Sequence, residues 1–393
     1  MKHDIIVVGA GPAALSFARC MRSSPLQIKL LEQTPIESLS EAQFDGRDIA
    51  LTHASKTLLQ RIGTWQEFNP SRIYPIRKAS VVDGESPQPL EFDCSGRKYE
   101  ALGYIVSNHL IKKALYRQVA EQDNVDIEFD CKVNGIDRID GGFRVKLDDD
   151  RSYTTPLLVA ADSRFSSIRN QAGIAADMND FARTAIVCRV RHQPRHEATA
   201  FECFHYGHTL AILPLGAGQS SVVVTANSDY ARQLLALDED RFCRFVLDKF
   251  GKRLGEMTMD SPRFSYPLVG VHARRFVGEN FALLGDAAVG MHPVTAHGFN
   301  LGLGSANLLA RQIEHALDRG QPYYSEQALE KYQHKHMLES RVMYHGTNGV
   351  VKLFTDDNPP ARLARKFALG LSRRCAPLRW AIEHKLTDHR AGL

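Results

Sequence analysis

Cysteine is sparse in this chain, and its distribution argues against two kinds of cross-linked fold. Seven cysteines are scattered through 393 residues, with no C-x-x-C pair and an odd total. A disulfide framework or a structural zinc site is usually marked by closely spaced or evenly paired cysteines. We therefore expect neither, and a reducing compartment fits this pattern best.

The chain also lacks long apolar runs and a strong excess of one charge. No apolar run approaches the roughly 20 residues that a membrane-spanning helix needs, and the N-terminus has no signal-peptide pattern. The formal net charge of +4 is too small to suggest nucleic-acid binding. These absences predict a cytoplasmic protein, at most peripheral on the inner face of the membrane, with no nucleic-acid partner.

What the sequence does contain is the composition of an ordinary soluble enzyme. Apolar residues make up 44% of the chain, charged residues 24% and aromatic residues 8%. A chain of 393 residues is longer than a domain with one compact core usually is. We therefore expect two interleaved subdomains or an α/β core with insertions. The sequence has no G-x-S-x-G motif, no catalytic-triad pattern and no metal-ligand spacing. No bound metal is therefore predicted.

The first chemical signal is a glycine turn between a strand and a helix. Residues 4–8 read as a short apolar strand, and G-x-G-x-x-A follows as Gly9, Gly11 and Ala14. Gly9 permits a sharp turn, Gly11 leaves room for a pyrophosphate, and Ala14 lets the helix lie close on the sheet. A second strand ends on Glu32, where an acid can hold the hydroxyls of an adenosine ribose. Together these features predict dinucleotide binding.

A second polar block spans residues 285–304 and follows a predicted buried strand. Its wording, G-D followed by H-P-x-x-x-x-G-F-N-L-G-L, resembles the G-D motif of the class A flavoprotein monooxygenases, and within that class the ubiquinone-biosynthesis hydroxylases. The resemblance implies that Asp286 binds the ribityl chain of FAD. It also implies that Gly298, Phe299 and Asn300 present backbone and amide groups to the flavin ring. The alternative is an ordinary helix cap and turn.

A third block, residues 157–169, is similar to the D-G motif of the same family, which serves flavin and nicotinamide binding. Asp162, Ser166 and Arg169 are in register with that motif, whereas Ser163 stands in place of its glycine. If the turn needs a positive φ there, Ser163 adopts it at an energetic cost. An ordinary helix cap at Asp162 or Ser163 remains the alternative.

Two further residues resemble family positions as isolated matches, outside the three motifs. Arg47 resembles the arginine that contacts the diphosphate side of the flavin, a role that suits its permanent charge. Asn108 matches a polar flavin contact that precedes a helix. A surface salt bridge for Arg47 and a helix cap for Asn108 are the alternatives.

The resemblance covers nearly the whole chain and implies an α/β fold. This fold is a Rossmann-like FAD-binding domain of the glutathione-reductase type, with an inserted mixed or antiparallel β-sheet substrate domain and C-terminal helices. The predicted domains are 1–75, 102–180 and 270–325 for FAD, 76–101 and 181–269 for the substrate sheet, and 326–393 for the C-terminal helical region.

The family also implies a reaction. Non-covalent FAD would be reduced by NADH or NADPH and would react with O₂ to give a flavin C4a-hydroperoxide, which hydroxylates an electron-rich ring. The substrate would be a polyprenylated phenol or quinol, and 5-hydroxylation of demethoxyubiquinol is favoured. A halogenase is disfavoured because the only tryptophans, Trp65 and Trp380, are far apart. A prenyl reductase, or a non-catalytic FAD-binding component of a biosynthetic complex, stays open.

Candidate catalytic residues lie in the second block. His292, Pro293 and His297 are placed nearest the flavin by the resemblance, and either imidazole could act near neutral pH. His297 stands where relatives usually have glutamine. Polar packing or a hydrogen bond to the backbone is the alternative for both histidines.

The C-terminal segment combines basic and apolar residues. Residues 362–393 carry eight Lys or Arg against two acidic residues. This composition suits an interfacial helix that docks on an anionic membrane, where a polyprenyl substrate resides. The alternatives are that the segment packs on the flavin domain, or that another ubiquinone-biosynthesis protein is a partner that presents the quinone.

Overall fold

The computed structural model describes residues 3–83, 89–94, 99–205, 207–293 and 297–355, in which short strands and helices alternate. In this part of the chain the strands are, in order, β1 (Ile5–Val8), β2 (Ile28–Leu31), β3 (Asp48–Leu51), β4 (Tyr74–Ile76), β5 (Lys78–Asp83), β6 (Leu90–Asp93), β7 (Gly103–Ser107), β8 (Val125–Glu128), β9 (Val133–Ile139), β10 (Gly142–Leu147), β11 (Ser152–Thr155), β12 (Leu157–Ala160), β13 (Ala176–His192), β14 (Thr199–His205), β15 (His208–Pro214), β16 (Gln219–Asn227), β17 (Met257–Met259), β18 (Phe264–Ala273), β19 (Val277–Gly278), β20 (Phe281–Leu283) and β21 (Val289–Gly290).

The α-helices of the same residues are α1 (Pro12–Cys20), α2 (Glu37–Ser40), α3 (His53–Arg61), α4 (Asn108–Ala120), α5 (Ser167–Gln171), α6 (Ser228–Leu235), α7 (Glu239–Lys249), α8 (His297–Asp318) and α9 (Glu326–Thr355). None of these described helices is both long and apolar enough to cross a bilayer. The basic segment 362–393 lies outside the described residues.

A mostly parallel sheet, in the order β19-β20-β12-β1-β2-β8, forms the base of the fold. β1 pairs in parallel with β2 on one side and with β12 on the other, and β8 and β20 continue the parallel order. Every residue of β1, β2 and β12 is buried, as expected when helices cover both faces of a parallel sheet. The carboxyl ends of these strands share one edge, where ligands of open α/β sheets bind.

Small residues let two helices approach closely at that edge. A Cβ atom on Gly285 would lie 2.8 Å from the Cβ of Ala13 in α1, and one on Gly302 in α8 would lie 3.9 Å from it. A larger side chain at Gly285 would therefore push these segments apart. The three glycine and alanine positions bring the start of α8 beside the start of α1.

A second large sheet runs β21-β18-β13-β16-β15-β14-β5-β6, with β17 paired to β13. Neighbouring strands are antiparallel except β14 and β5, which are parallel. α6 and α7 cover one face and share an apolar core with its strands. This architecture confirms the predicted fold class. The sheet also includes three stretches outside the predicted ranges 76–101 and 181–269. They are the start of β13 from Ala176, the end of β18 to Ala273, and β21.

The opposite face of this sheet, which we call the inner face, packs against the segment that leads into β3. A Cβ atom on Gly46 would lie 2.7 Å from side-chain atoms of both Val187 and Phe264. Side chains alternate along a strand, so Val187 and Arg189 of β13 point the same way. The inner face is therefore the one that Val187, Phe264 and Arg189 share.

A buried ion pair joins the inner face to β3. The guanidinium of Arg189 contacts Asp48, with its Nη2 2.5 Å from Oδ1 and its Nε 3.1 Å from Oδ2. The hydroxyl of Ser107, in β7, donates to Asp48 at 2.8 Å. The Asp48 side chain is 0% exposed and that of Arg189 is 10% exposed, so neither charge has much contact with water. Each charge depends on the other for compensation.

This ion pair gives a stability prediction. Asp48→Asn removes the negative charge and leaves Arg189 buried without compensation, so the unfolding free energy should fall by about 3 kcal/mol or more. Urea unfolding measures the change. The matched control is Arg191→Met, two residues along β13, where the ion pair with Asp260 has an arginine that is 68% exposed and should be worth less than about 1 kcal/mol. Equal effects of the two substitutions would contradict the prediction.

Candidate active site

A cleft of about 520 Å³ opens at the carboxyl edge of the parallel sheet. Ten of the eleven residues predicted to contact the cofactor line it. They are Gly9, Gly11, Ala14, Glu32, Arg47, Asn108, Asp162, Asp286, Gly298 and Phe299. The eleventh, Asn300, lies outside this cleft.

The glycine turn forms the floor of the cleft. Gly9 has a φ of 97°, and a Cβ atom there would lie 2.6 Å from the carbonyl oxygen of Ala161, so a larger residue would not fit. Gly11 is the N-cap of α1 and offers no capping side chain. A Cβ atom on Gly11 would meet nothing within 4 Å and would point into open space. This arrangement leaves the N-terminus of α1 accessible to an anion.

Glu32 is held at the edge of the cleft by hydrogen bonds. Its Oε2 accepts from the amide of Ala10 at 2.7 Å, and its Oε1 accepts from the amide and hydroxyl of Thr34 at 2.9 and 2.8 Å. A carboxylate has about four acceptor positions, so one remains on Oε2. The fixed carboxylate can accept a hydrogen bond from a ribose hydroxyl.

Asp45 connects the two singly matched positions, and sequence reasoning missed it. Its Oδ2 lies 2.5 Å from Nη2 of Arg47 and accepts a hydrogen bond from Nδ2 of the Asn108 side chain at 2.8 Å. The Tyr266 hydroxyl, from the inner face, donates to the Asp45 carbonyl at 2.6 Å. Burial favours a higher pKa for Asp45, but the hydrogen bonds and charge of Arg47, together with Asn108, outweigh it and hold the pKa below its ordinary value. Asp45 is therefore an anion that orients both residues.

Lys112 is a second residue that sequence reasoning missed. It lines the cleft one helical turn after Asn108, on the same side of α4. Burial and the nearby charge of Arg47 lower the pKa of Lys112. The spacing of four residues from Asn108 was the available signal. Lys112 and Arg47 place two positive charges at one end of the cleft.

The third block forms a tight turn after β12. Ser163 has a φ of 136°, the positive value that a glycine would adopt freely. The Ser166 hydroxyl donates to Asp162 at 2.5 Å and accepts from the amide of Arg169 at 2.9 Å, which makes Ser166 the N-cap of α5. The helix cap at Ser166 therefore does not prevent Asp162 from lining the cleft.

Asp286 also has a protein partner. Nη2 of Arg164 lies 2.9 Å from its Oδ2, and Arg164 also donates to the carbonyl of Val269 at 3.1 Å. The Asp286 side chain is 41% exposed and lines the cleft. The pair joins the G-D and D-G blocks, which are far apart in sequence.

Asn300 and His297 lie on the other side of the start of α8. They line a separate cavity of about 200 Å³ beside α3 and α9. The Asn300 side chain accepts from the amide of Thr52 at 3.0 Å and donates to the carbonyl of Ala50 at 2.9 Å. In this structure the Asn300 amide thus ties α8 to the end of β3, instead of facing the cleft.

His292 is buried beside the inner face. Its ring lies edge-on to Phe181, with 4.9 Å between the ring centroids. Burial, with a smaller effect of Arg183, lowers the pKa of His292 to about 4. The imidazole is therefore neutral at pH 7 and can offer hydrogen bonds but no readily available proton. The next residue, Pro293, is exposed and is followed by residues 294–296, which lie outside the described chain.

The chemistry of the cleft fits FAD. An open glycine cradle at a helix N-terminus suits a diphosphate, Arg47 and Lys112 offset its charge, and Glu32 suits a ribose. Among the described residues, no group of three or more His, Cys, Asp or Glu side chains is arranged to hold a metal ion. The glycine cradle, the two cations and the carboxylate of Glu32 are the groups that support a dinucleotide in this cleft.

The open position of Gly11 gives a test of this site. Gly11→Val would fill the space of the diphosphate and should weaken FAD binding by roughly 100-fold, or about 2.7 kcal/mol. Visible absorbance of the purified protein and titration with FAD measure the loss. Gly135→Val is the matched control, because a Cβ there, in β9, would make only an ordinary 3.6 Å contact with Lys146. A Gly11→Val protein that stays fully yellow would be incompatible with this site.

Comparisons with known proteins agree with this geometry. The FAD binding domain family matches residues 2–342. The chain is 45% identical over 391 residues to ubiquinone hydroxylase UbiM of Neisseria meningitidis, covering 98% of this chain and 85% of that one. It is 32% identical over 376 residues to ubiquinone hydroxylase UbiL of Rhodospirillum rubrum, covering 96% and 87%.

Solved structures show the same fold. The crystal structure of PqsL, a probable FAD-dependent monooxygenase from Pseudomonas aeruginosa, matches with a TM-score of 0.78 and 18% identity, covering 91% of this chain and 97% of that one. At that identity the likeness concerns the fold alone. The chain therefore belongs to the FAD binding domain family, and within it to the FAD-dependent monooxygenases that include the ubiquinone hydroxylases.

Proposed function

We propose that this enzyme hydroxylates the ring of a polyprenylated phenol or quinol in ubiquinone biosynthesis, with O₂ and NADH or NADPH as co-substrates. The proposal depends mainly on one observation. Residues from widely separated segments of the chain line the same cleft at the edge of the parallel sheet. The substrate class is suggested by UbiM and UbiL, both of which are ubiquinone hydroxylases.

The described residues have distinct tasks in binding the cofactor. When bound, FAD would supply the redox chemistry between the nicotinamide and O₂. Gly11 and the N-terminus of α1 bind the diphosphate, while Arg47 and Lys112 offset its negative charge. Glu32 accepts hydrogen bonds from the ribose. Asp286 would bind the ribityl chain and would then share its carboxylate with Arg164, which it already contacts.

The inner face supplies an apolar wall on which a ring and prenyl chain can pack. Val187, Val223 and Ala211 are register partners across β13, β16 and β15 and therefore lie side by side on this face. Val223 and Ala211 are only half-buried, so the wall is not fully covered by other parts of the described chain. Apolar walls exclude water from the reacting groups, which protects reactive species from hydrolysis.

The three candidate catalytic residues have more limited roles in this proposal than acid–base catalysis. We propose that neutral His292 accepts or donates a hydrogen bond beside the reacting ring, because its pKa of about 4 excludes a cationic form at pH 7. Pro293 shapes the chain next to it. His297 lines the neighbouring cavity, and its proposed role is to stabilise the start of α8.

The ring carbon that is hydroxylated is a separate part of the proposal. The resemblance of residues 292–300 favours 5-hydroxylation of demethoxyubiquinol, and this stays a prediction. A prenyl reductase would use the same FAD cleft without O₂, so the fate of oxygen separates the two functions. Complementation of pathway-deficient cells, followed by identification of the accumulated quinone intermediate, would assign the ring position.

The reaction type can be tested with labelled oxygen. In ¹⁸O₂, the FAD-loaded enzyme with NADH or NADPH should convert a short-chain prenylated phenol into a product that carries one ¹⁸O atom, because the transferred oxygen comes from O₂. Mass spectrometry of the product measures incorporation, and a parallel reaction in H₂¹⁸O is the control. Label that enters only from water, or a reduced prenyl chain without added oxygen, would rule out the hydroxylase.

We also propose that the enzyme docks on anionic membranes to reach a polyprenyl substrate. A groove of about 300 Å³ between α8 and α9 supports this, because five cationic or potentially cationic side chains and no acidic one are among the described residues that line it. These five are Arg311, His315, Arg319, Lys331 and Lys335. The basic segment 362–393, outside the described residues, would add to the same attraction.

Vesicle binding tests this proposal. Wild-type protein should co-sediment with anionic vesicles at low salt and be released at high salt, because each basic residue near the surface contributes on the order of 1 kcal/mol, which salt screens. Replacing Arg365, Lys366, Arg373 and Arg374 with Glu should reduce binding, as should Arg319→Glu combined with Lys331→Glu. Neutral vesicles are the control. Equal, salt-insensitive recovery of all proteins would contradict docking.

A further inference from the structure

Glu202 occupies a position on the inner face that the proposed function has not used. It is the register partner of Ala211 across β14 and β15, and Ala211 is in turn the partner of Val223. Residues paired in this way point to the same face of a sheet. Glu202 therefore continues the apolar wall that begins at Val187, three strands away and about 14 Å across the sheet.

Most of the described residues around Glu202 on the inner face are apolar, although Thr209 and Asp83, the next residues on the same face of β15 and β5, are polar. Val81 is its partner in β5 on the other side, and Phe204 and Ala200 are the next residues on the same face of β14. The C-terminal part of α9 contacts β14, and Leu353 of α9 packs in the same apolar cluster as Phe204. This part of α9 covers the end of the wall at which Glu202 lies.

The carboxyl of Glu202 has no counter-charge in this environment. It makes no hydrogen bond or ion pair to any residue that the structure describes. Burial alone raises the pKa of Glu202 to about 8, so the carboxyl is mostly neutral at pH 7. A polar group kept in an apolar wall without a protein partner costs stability, which is a feature of groups that serve a ligand.

We infer that Glu202 binds a ring hydroxyl of the substrate and so sets the position of the aromatic ring along the inner face. This inference rests on the proposed function, and it deepens it by naming the group that recognises the phenol. A neutral carboxyl has one donor and at least one acceptor, and a phenol also has one of each. The two can therefore form a complementary pair that excludes water.

The chemistry of the pair explains why a carboxyl suits this position. A hydrogen bond in an apolar setting is strong because water does not compete, and leaving either partner unpaired is costly. Glu202 is half-buried, and a substrate without the hydroxyl would cover its carboxyl and leave it unpaired in the complex. The site therefore discriminates against ring compounds that lack the hydroxyl.

Two probes test this recognition. FAD-loaded enzyme is titrated with 2-prenylphenol and with its methyl ether, which has the same shape but no hydroxyl, and the dissociation constants are measured by calorimetry. The wild type should bind the phenol at least about tenfold more tightly, the value of one buried hydrogen bond. Glu202→Leu should lose this preference, with weaker binding of the phenol and nearly unchanged binding of the ether.

Two further variants sharpen the result. Glu202→Gln keeps a donor and an acceptor in the same shape and should retain most of the preference. Glu256→Leu, which replaces an exposed glutamate remote from the inner face, is the matched control and should bind both probes like the wild type. FAD content and thermal midpoints show whether each variant is folded, and the wild-type comparison of the two probes does not depend on any variant.

The outcomes separate this inference from the proposed function. A wild type that does not prefer the phenol, or a Glu202→Leu protein that keeps the preference, overturns the role of Glu202. Equal loss in Glu202→Gln and Glu202→Leu overturns it as well, because the site would then need a carboxylate. Phenol preference without ¹⁸O incorporation contradicts only the hydroxylase, whereas incorporation without preference contradicts only Glu202.

Discussion

Between residues 45 and 48 the chain passes from the cleft to the contact between β3 and the inner face of the second large sheet, and both regions depend on how this short segment is held. At one end Asp45 contacts Arg47 and Asn108, both of which line the cleft. At the other end Asp48 compensates the buried charge of Arg189. Since the two ends are three residues apart, the packing of the inner face constrains the backbone beside Arg47, which is predicted to contact FAD.

Two of the charged residues that line the cleft are already paired within the protein. Arg47 is paired with Asp45, and Asp286 is paired with Arg164. A ligand that binds here must share or replace these contacts, so only the difference between old and new interactions contributes to affinity. In return, the charged side chains need little rearrangement when the ligand arrives. The two ion pairs thus reduce the net gain in binding free energy, but they hold the side chains in place before the ligand binds.

Local sequence predicted the parts of the site that depend on local chemistry. The strand, glycine turn and helix around Gly9 and Gly11 follow from neighbouring residues, and the fold class could be inferred from three such blocks. The partners of Asn300 could not be inferred, because they lie about 250 positions earlier in the chain. Asp45 and Lys112 carried weak local signals, two and four residues from predicted contacts. The orientation of Glu202 needed the strand register, which no single strand specifies.

The order of strands in the parallel sheet also constrains how the molecule is made. One edge of β1 can pair with β2 as soon as both emerge from the ribosome, but its other edge pairs with β12, where Ile5 meets Leu157. At ordinary translation rates of about 5–20 residues per second, that edge stays unpaired for roughly ten seconds or more. During this interval a fully apolar strand offers its backbone to any neighbour, which is a hazard for aggregation. Because β20 and α8 come later still, FAD can only bind to a sheet whose assembly is nearly finished, and the cofactor is a late stabiliser of the fold instead of its nucleus.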